Sequence, residues 1–218
     1  GEAYGIKTDS KTITVTSDDG ASLNVVGTGL TKYVYGIAAN VVLHTGTINV
    51  DIDTSYAGYG VYGAFTFAEG ETKAAVLNVN VEKTATGNTL IAVGGMGDFT
   101  IENCQNPITV NINATTAVEG AKVQGMSLGL YIKNSAPQMT VTADNNDSSV
   151  LGRMAFDDII DYLSLNEGGK VTFNGTVRYA NNYFLGLYIG ANTVVTMNTF
   201  AKKVSTPKNI FFKSNGEK

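Results

Sequence analysis

The sequence predicts an all-β fold in which one chain coils so that residues about thirty apart become neighbouring parallel strands. Three observations predict it. A pattern of apolar, Asn or Thr, apolar, Asn or Asp recurs six times: Ile48-Asn49-Val50-Asp51, Leu77-Asn78-Val79-Asn80, Val110-Asn111-Ile112-Asn113, Val141-Thr142-Ala143-Asp144, Val171-Thr172-Phe173-Asn174 and Val195-Thr196-Met197-Asn198. Their first positions are 29, 33, 31, 30 and 24 residues apart. A second mark, a Gly inside an apolar run, alternates with the first at Gly36, Gly63, Gly94, Gly125, Gly152 and Gly186. Finally, charged residues are only 16% of the chain, against about 25% in ordinary globular domains. Gly, Asn, Thr and Val take their place, which suits strands and tight turns and disfavours long exposed helices.

Equivalent strands lie side by side, about 4.8 Å apart, only if the chain completes a circuit per repeat, and adjacent circuits then pair in parallel. Hairpins would instead reverse about every 8–12 residues and pair locally. The copies imply about six to seven rungs, roughly 30 Å of coil.

The elements follow in order. Residues 1–31 read as N-terminal cap strands, because terminal units of stacked repeats are atypical. Lys11-Thr12-Ile13-Thr14-Val15-Thr16 alternates as a half-buried strand does, Asp18-Asp19-Gly20 signals a turn, and Leu23-Asn24-Val25-Val26 is an imperfect copy of the motif. Residues 32–199 carry the repeats. Within each motif the two apolar residues face inward and the Asn or Thr between them faces solvent. The closing residue (Asp51, Asn80, Asn113, Asp144, Asn174, Asn198) is expected at a bend, since Asn and Asp tolerate left-handed backbone and bond their own turn. Amides stacked there are expected to form a hydrogen-bonded ladder. The Gly of the second mark is expected to permit close approach or a bulge.

One segment departs from the pattern. Over residues 153–165, Phe156, Ile159, Ile160 and Leu163 fall at helical spacing, with Asp157 and Asp158 near the start where acidic residues suit the helix dipole. A short helix inserted near residues 155–164 is expected. Residues 200–218 read as a C-terminal tail or cap in which Phe200 and Ile210-Phe211-Phe212 cover the last rung and Pro207 opposes further pairing. Residues 1–218 read as one domain. The tail lacks a clear polar cap, which suggests a piece of a longer stack.

Composition excludes several classes. The net charge is −4 and the basic residues near the end, Lys202, Lys203, Lys208 and Lys213, form no basic face, so no nucleic-acid partner is expected. Cys104 is alone and forms no internal disulfide. The longest apolar run, about Tyr33 to Leu43, is too short to span a bilayer. No signal peptide opens the chain, which does not argue for a cytoplasmic home.

Motifs for chemistry are weak. Gly58-Tyr59-Gly60-Val61-Tyr62-Gly63 matches the dinucleotide fingerprint, but strand-like Ala64-Phe65-Thr66-Phe67 follows where a helix is required. Gly94-Gly95-Met96-Gly97-Asp98 begins like a calcium-binding nonapeptide, yet Phe99 holds the place of its Asp, so a loop is expected. Asp144 and Asp147, in an oxygen-rich run, are the weak metal candidates. Asp157 and Asp161, with Arg153, are the weak catalytic candidates, since i and i+4 carboxylates share a helix face and paired carboxylates serve glycoside hydrolysis. His44 is the sole histidine and has no metal-binding partner of its kind. No cofactor is expected. The aromatics say more. Tyr33, Tyr35, Tyr56, Tyr59 and Tyr62 crowd into two successive circuits, where exposed rings would bind sugar or protein and buried rings would fill the coil. Tyr56, Tyr59 and Tyr62 form the candidate binding patch.

From Tyr33 to Thr199, Gly-Val-Tyr and Gly-Leu-Tyr runs alternate with Val-Asn-Ile-Asn runs. This texture resembles the single-stranded right-handed parallel β-helix of bacterial surface proteins, above all autotransporter passenger domains and related adhesins. The resemblance implies an exported or surface-displayed, non-enzymatic bacterial coil that binds a host or bacterial surface glycan or protein. Pectin-lyase-like polysaccharide lyases and hydrolases share the coil and are the alternative. Their polygalacturonase branch carries Asn-x-Asp, Asp-Asp, Gly-His-Gly and Arg-x-Lys motifs; Asp157-Asp158 matches the second, but His44 is flanked by Leu43 and Thr45 and Arg-x-Lys is missing, so no catalytic role carries over.

Overall fold

A computed structural model describes residues 1–17, 20–145, 154–157, 160–179, 187–190, 194–202 and 212–215, with side-chain surroundings for 1–17, 20–143, 165–175 and 194. Every regular element among them is a β-strand. The chain begins with β1 (Glu2–Val15) and β2 (Ser22–Leu30), then β3 (Tyr33–Leu43) and β4 (Gly46–Thr54). The next circuit divides its first strand into β5 (Ala57–Tyr62) and β6 (Phe65–Phe67) before β7 (Ala75–Lys83). Two circuits of the same plan follow: β8 (Leu90–Glu102) with β9 (Ile108–Thr116), and β10 (Val123–Ser135) with β11 (Gln138–Asn145). After them come β12 (Met154–Asp157), β13 (Ile160–Leu165) and β14 (Lys170–Tyr179), then β15 (Leu187–Gly190), β16 (Val194–Lys202) and β17 (Phe212–Asn215).

The strands form a parallel β-solenoid with two rows. In the first row β2, β4, β7, β9, β11, β14 and β16 pair in that order. In the second, β1 pairs with β3, β3 with β5 and β6, these with β8, β8 with β10, and β10 with β12 and β13. β15 and β17 continue that row, so parallel pairing goes on beyond Pro207. Asn78 of β7 stands beside Asn111 of β9 on strands running the same way, as the repeat requires.

The interior is the apolar half of each motif. Ile48 and Val50, Leu77 and Val79, and Val110 and Ile112 are buried, and they face buried Ile37, Val61 and Val93 of the second row in one continuous core. The Gly expectation holds at Gly36. A Cβ there would sit 2.4 Å from the Gly60 carbonyl oxygen and 2.7 Å from Val50 Cγ1, so at Gly36 the two rows approach too closely for a side chain. Tyr35 pairs with Tyr59 and Ile37 with Val61, so the partner of Gly36 in this line is Gly60 and the next is Ala92. Gly63 and Gly94 therefore do not belong to the Gly36 line: Tyr62 pairs with Gly94, and Gly63 turns a corner.

Three further expectations are corrected. First, the helix expected near residues 155–164 gives way to strand in the described residues there: β12 and β13 occupy 154–157 and 160–165. Met154 and Phe156 align with Gln124 and Met126, and Ile160 and Leu163 with Leu130 and Ile132. β10 presents an open row of N–H and C=O groups, and pairing with it satisfies both backbones, whereas a helix would satisfy only its own. Secondly, Val110 pairs with Met139 and Met139 with Val171, so the fourth rung is Met139-Thr140-Val141-Thr142. The repeat read from Val141 was two residues late. A two-residue slip keeps the same side chains inward, which is why the pattern fits both registers. Thirdly, Asp51, Asn80 and Asn113 lie inside β4, β7 and β9 and mark no bend. The corner amides are Asn103 and Asn134, with φ of 51° and 47°.

Candidate functional site

Parallel, in-register strands place equivalent residues in line, and this builds two outward-facing arrays. The first is polar. Asn49 Nδ2 donates to Asn24 Oδ1 (2.7 Å), Asn78 to Asn49 (2.8 Å) and Asn111 to Asn78 (2.9 Å). A second line beside it runs from Asn113 to Asn80 (2.9 Å) and from Asn80 to Asp51 (2.8 Å). The corner pair repeats the device, Asn134 donating to Asn103 at 3.0 Å. The expected amide ladder thus exists, doubled and on the sheet face. The interior amides Asn49, Asn78 and Asn80 each spend a donor and an acceptor on their neighbours, so these lines brace the coil along its axis.

The second array is aromatic. Tyr4, Tyr35 and Tyr59 are register partners on β1, β3 and β5. Their rings stack, Tyr4 on Tyr35 at 5.0 Å and 8°, Tyr35 on Tyr59 at 5.6 Å and 13°. Tyr62 lies 4.7 Å from Tyr59 and meets Tyr35 edge-on at 5.4 Å. Tyr33 is tilted against Tyr35 at 5.3 Å and meets Tyr56 edge-on at 6.3 Å. The three predicted patch residues are therefore parts of one cluster, and Tyr35 and Tyr33 link them. Tyr4 was not among the residues singled out from the sequence. Its signal was available, since it precedes Tyr35 by one repeat of 31 residues. The stack ends where Tyr59 pairs with Ile91.

Tyr56 is 48% exposed and is held from its backbone. Its N–H donates to Thr54 Oγ1 at 3.1 Å, and its carbonyl accepts from Lys83 Nζ. Lys83 is fully buried, and desolvation pushes its pKa below the usual lysine value. The stacked ring faces of Tyr4, Tyr35 and Tyr59 largely cover one another. What the cluster offers a partner is ring edges, hydroxyls and the open ring of Tyr56.

Burial, then neighbouring phenols, push Tyr35 up to about 12, and the same causes raise Tyr59. Both are neutral hydroxyl donors at physiological pH. In the unfolded chain tyrosine ionises at about pH 10. The unfolded state then holds fewer protons than the native state between pH 10 and about 12, so stability falls as pH rises through that window. Tyr35→Phe is expected to flatten this fall, checked by urea midpoints collected across the window.

The other sequence candidates separate. His44 Nδ1 bonds Glu71 Oε1 at 2.8 Å. Cys104 is buried and desolvation pushes its thiol up, which suppresses the reactive thiolate. Gly58-Tyr59-Gly60-Val61-Tyr62-Gly63 lies on β5 and its end, with β6 following, so no helix N-terminus meets it. Gly94-Gly95-Met96-Gly97-Asp98 is a bulge within β8 and not the expected loop, with φ of 120° at Gly95 and 105° at Gly97. Among the described residues no three His, Cys, Asp or Glu side chains converge as metal ligands. Asp144 lies on β11 beside Thr115, and Asp147 lies outside the described residues. Arg153 also lies outside them. Asp157 ends β12 and Asp161 lies in β13, so the helix face that would have joined them is absent. No helix of the described residues is long and apolar enough to cross a membrane.

Compared with protein-family models, with curated proteins and with solved structures, the chain matches none.

Proposed function

We propose that the chain is a non-enzymatic, exported bacterial surface coil that presents a binding or adhesive face to a glycan or protein on a host or bacterial surface, as autotransporter passengers and related adhesins do. One observation carries the reading: six tyrosines from successive circuits, Tyr4, Tyr33, Tyr35, Tyr56, Tyr59 and Tyr62, form a contiguous cluster on the outside of the coil. Tyr supplies rigid amphipathic contact area at low entropic cost and is enriched at interfaces. Here the rings are already ordered by mutual stacking, so binding need not order them. A stacked coil also makes a stiff, extended support for contacts spread over several circuits.

The test is binding of the purified chain to intact bacterial and host cells. Tyr56→Ala and Tyr59→Ala are expected to weaken binding about tenfold or more each, the scale of an interface hot spot. Tyr56→Ala, at an exposed position, is expected to leave the unfolding midpoint nearly unchanged. Cell binding that survives both substitutions intact would remove the patch from the account.

A further inference from the structure

We propose that a groove at one corner of the coil, opening beside Tyr62, binds one or two rings of a neutral saccharide. The proposal rests on the reading of the coil as a binding surface and names where on it a ligand sits.

The groove arises from unequal corner lengths. Lys7 pairs with Ala38 and Thr12 with Asn40, so residues 8–11 of β1 bulge out opposite the single residue Ala39. In β8, Gly94 pairs with Ser127 and Asp98 with Gly129, so residues 95–97 bulge opposite Leu128 alone. The two circuits between them, β3 and β5–β6, turn the same corner without insertion, since Ala38 pairs with Tyr62 and Val41 with Phe65. Two long corners therefore flank two short ones and enclose a groove of about 300 Å³. Thr8, Ser10 and Lys11 form one wall and Met96, 81% exposed, lies on the other. Ala38, Ala39 and Gly63 make a flat floor beside the Tyr62 ring.

The first wall is a shaped element. Ser10 is held at φ 59°, and Thr8 Oγ1 donates to the Lys11 carbonyl at 2.7 Å. Bulges of this kind re-aim side chains and gather beside binding sites. The floor is bare for a physical reason: a Cβ on Gly63 would meet the Ala39 carbonyl oxygen at 2.3 Å.

The lining selects the ligand. An apolar floor, an aromatic ring and a rim of two hydroxyls and one amide suit a molecule with apolar ring faces and hydroxyl edges. Asn40 Oδ1 already accepts from the Ala64 N–H at 3.0 Å, which leaves its Nδ2 hydrogens as donors. Lys11 is the one charged residue of the lining, against eight uncharged ones, so uncharged contacts dominate the site. The volume lies at the lower end of small-ligand sites, about 300–1,000 Å³, which limits occupancy to a short segment. A peptide added as a strand is disfavoured, since the corner backbone is already used: Gly63 N donates to Gly94 O at 3.0 Å and Val41 N to Ala64 O at 2.8 Å.

The experiment screens the full chain on an array of neutral and acidic glycans, then titrates the hits by calorimetry. Neutral glycans are expected to bind, with Ala38→Phe, which fills the floor, and Met96→Ala, which removes a wall, each weakening them about tenfold. If Ala38→Phe fails to fold, Lys11→Trp obstructs the groove from its exposed rim and is expected to do the same. Glycan binding that both groove variants leave intact but Tyr56→Ala abolishes overturns the groove and retains the tyrosine surface. Hits confined to acidic glycans, or cell binding with no glycan hit, overturn the saccharide assignment and likewise retain the surface. Binding to neither cells nor glycans overturns both.

Discussion

Gly36→Val is expected to destabilise the coil by about 3 kcal/mol or more, the upper end of the cost of overpacking a close-packed interior. The new Cβ would lie 2.4 Å from a backbone oxygen of the adjacent strand and 2.7 Å from Val50 Cγ1 of the opposite row. Neither neighbour can swing away. The oxygen belongs to the β5 backbone, and Val50 is buried between Val25 and Val79 in the core line. Relief would require separating the two rows, which opens space along the circuits above and below. Gly70→Ala is the control, because nothing lies within 4 Å of a Cβ there and only its positive φ of 74° opposes the change. That substitution is expected to cost about 1–2 kcal/mol. Urea unfolding of the two variants checks the ordering, and equal losses would sink the close-approach account.

Phe99→Ala is expected to cost about 3–5 kcal/mol, as large-to-small changes at fully buried aromatics do. Phe99 of β8 is in register with Phe65 of β6 and with Leu130 of β10. It stacks on Phe65 at 5.3 Å and 15° and meets Phe67 at 5.9 Å and 61°. All three rings are fully buried, or within 1% of it. The stacked rings of consecutive circuits constrain one another, so the vacated space cannot collapse without moving β6 or β10. In a stack held by nearest-neighbour contacts, a defect in a middle circuit also uncouples the parts on either side. Unfolding followed by circular dichroism and by tyrosine fluorescence is therefore expected to lose coincidence in this variant, because all six clustered tyrosines lie on the N-terminal side of the defect. Val26→Ala, at a position 67% exposed, is expected to change stability by no more than about 0.5 kcal/mol.

Much of the candidate site was legible, though not its geometry. Tyr56, Tyr59 and Tyr62 were identified by crowding, and they do belong to one cluster. Crowding says nothing of which rings touch, and it passed over Tyr4, whose membership depends on β1 pairing with β3 across one repeat. The groove was not legible. Its walls are three extra residues at one corner and two at another, and their juxtaposition depends on two circuits between them having none. Asp157 and Asp161 illustrate the reverse error, where local spacing suggested a shared helical face that β12 and β13 do not provide.

The amino-acid sequence alone determined that this chain is a parallel coil, which residues of each motif point inward, and that amides stack along its axis. Those properties follow from a two-residue alternation inside strands and a near-constant spacing between them, both carried by the order of residues. Tertiary structure alone decided the register of the fourth rung at Met139, the strands in place of a helix at residues 154–157 and 160–165, the line of Gly36, Gly60 and Ala92, and the corner groove. Each of these depends on which row of backbone hydrogen-bonding groups the preceding circuit leaves open, and on how closely the opposite row approaches. A chain folding onto its own previous circuit must satisfy that template, and the template outweighs local spacing because an unpaired buried N–H or C=O costs more than a modest helical preference returns.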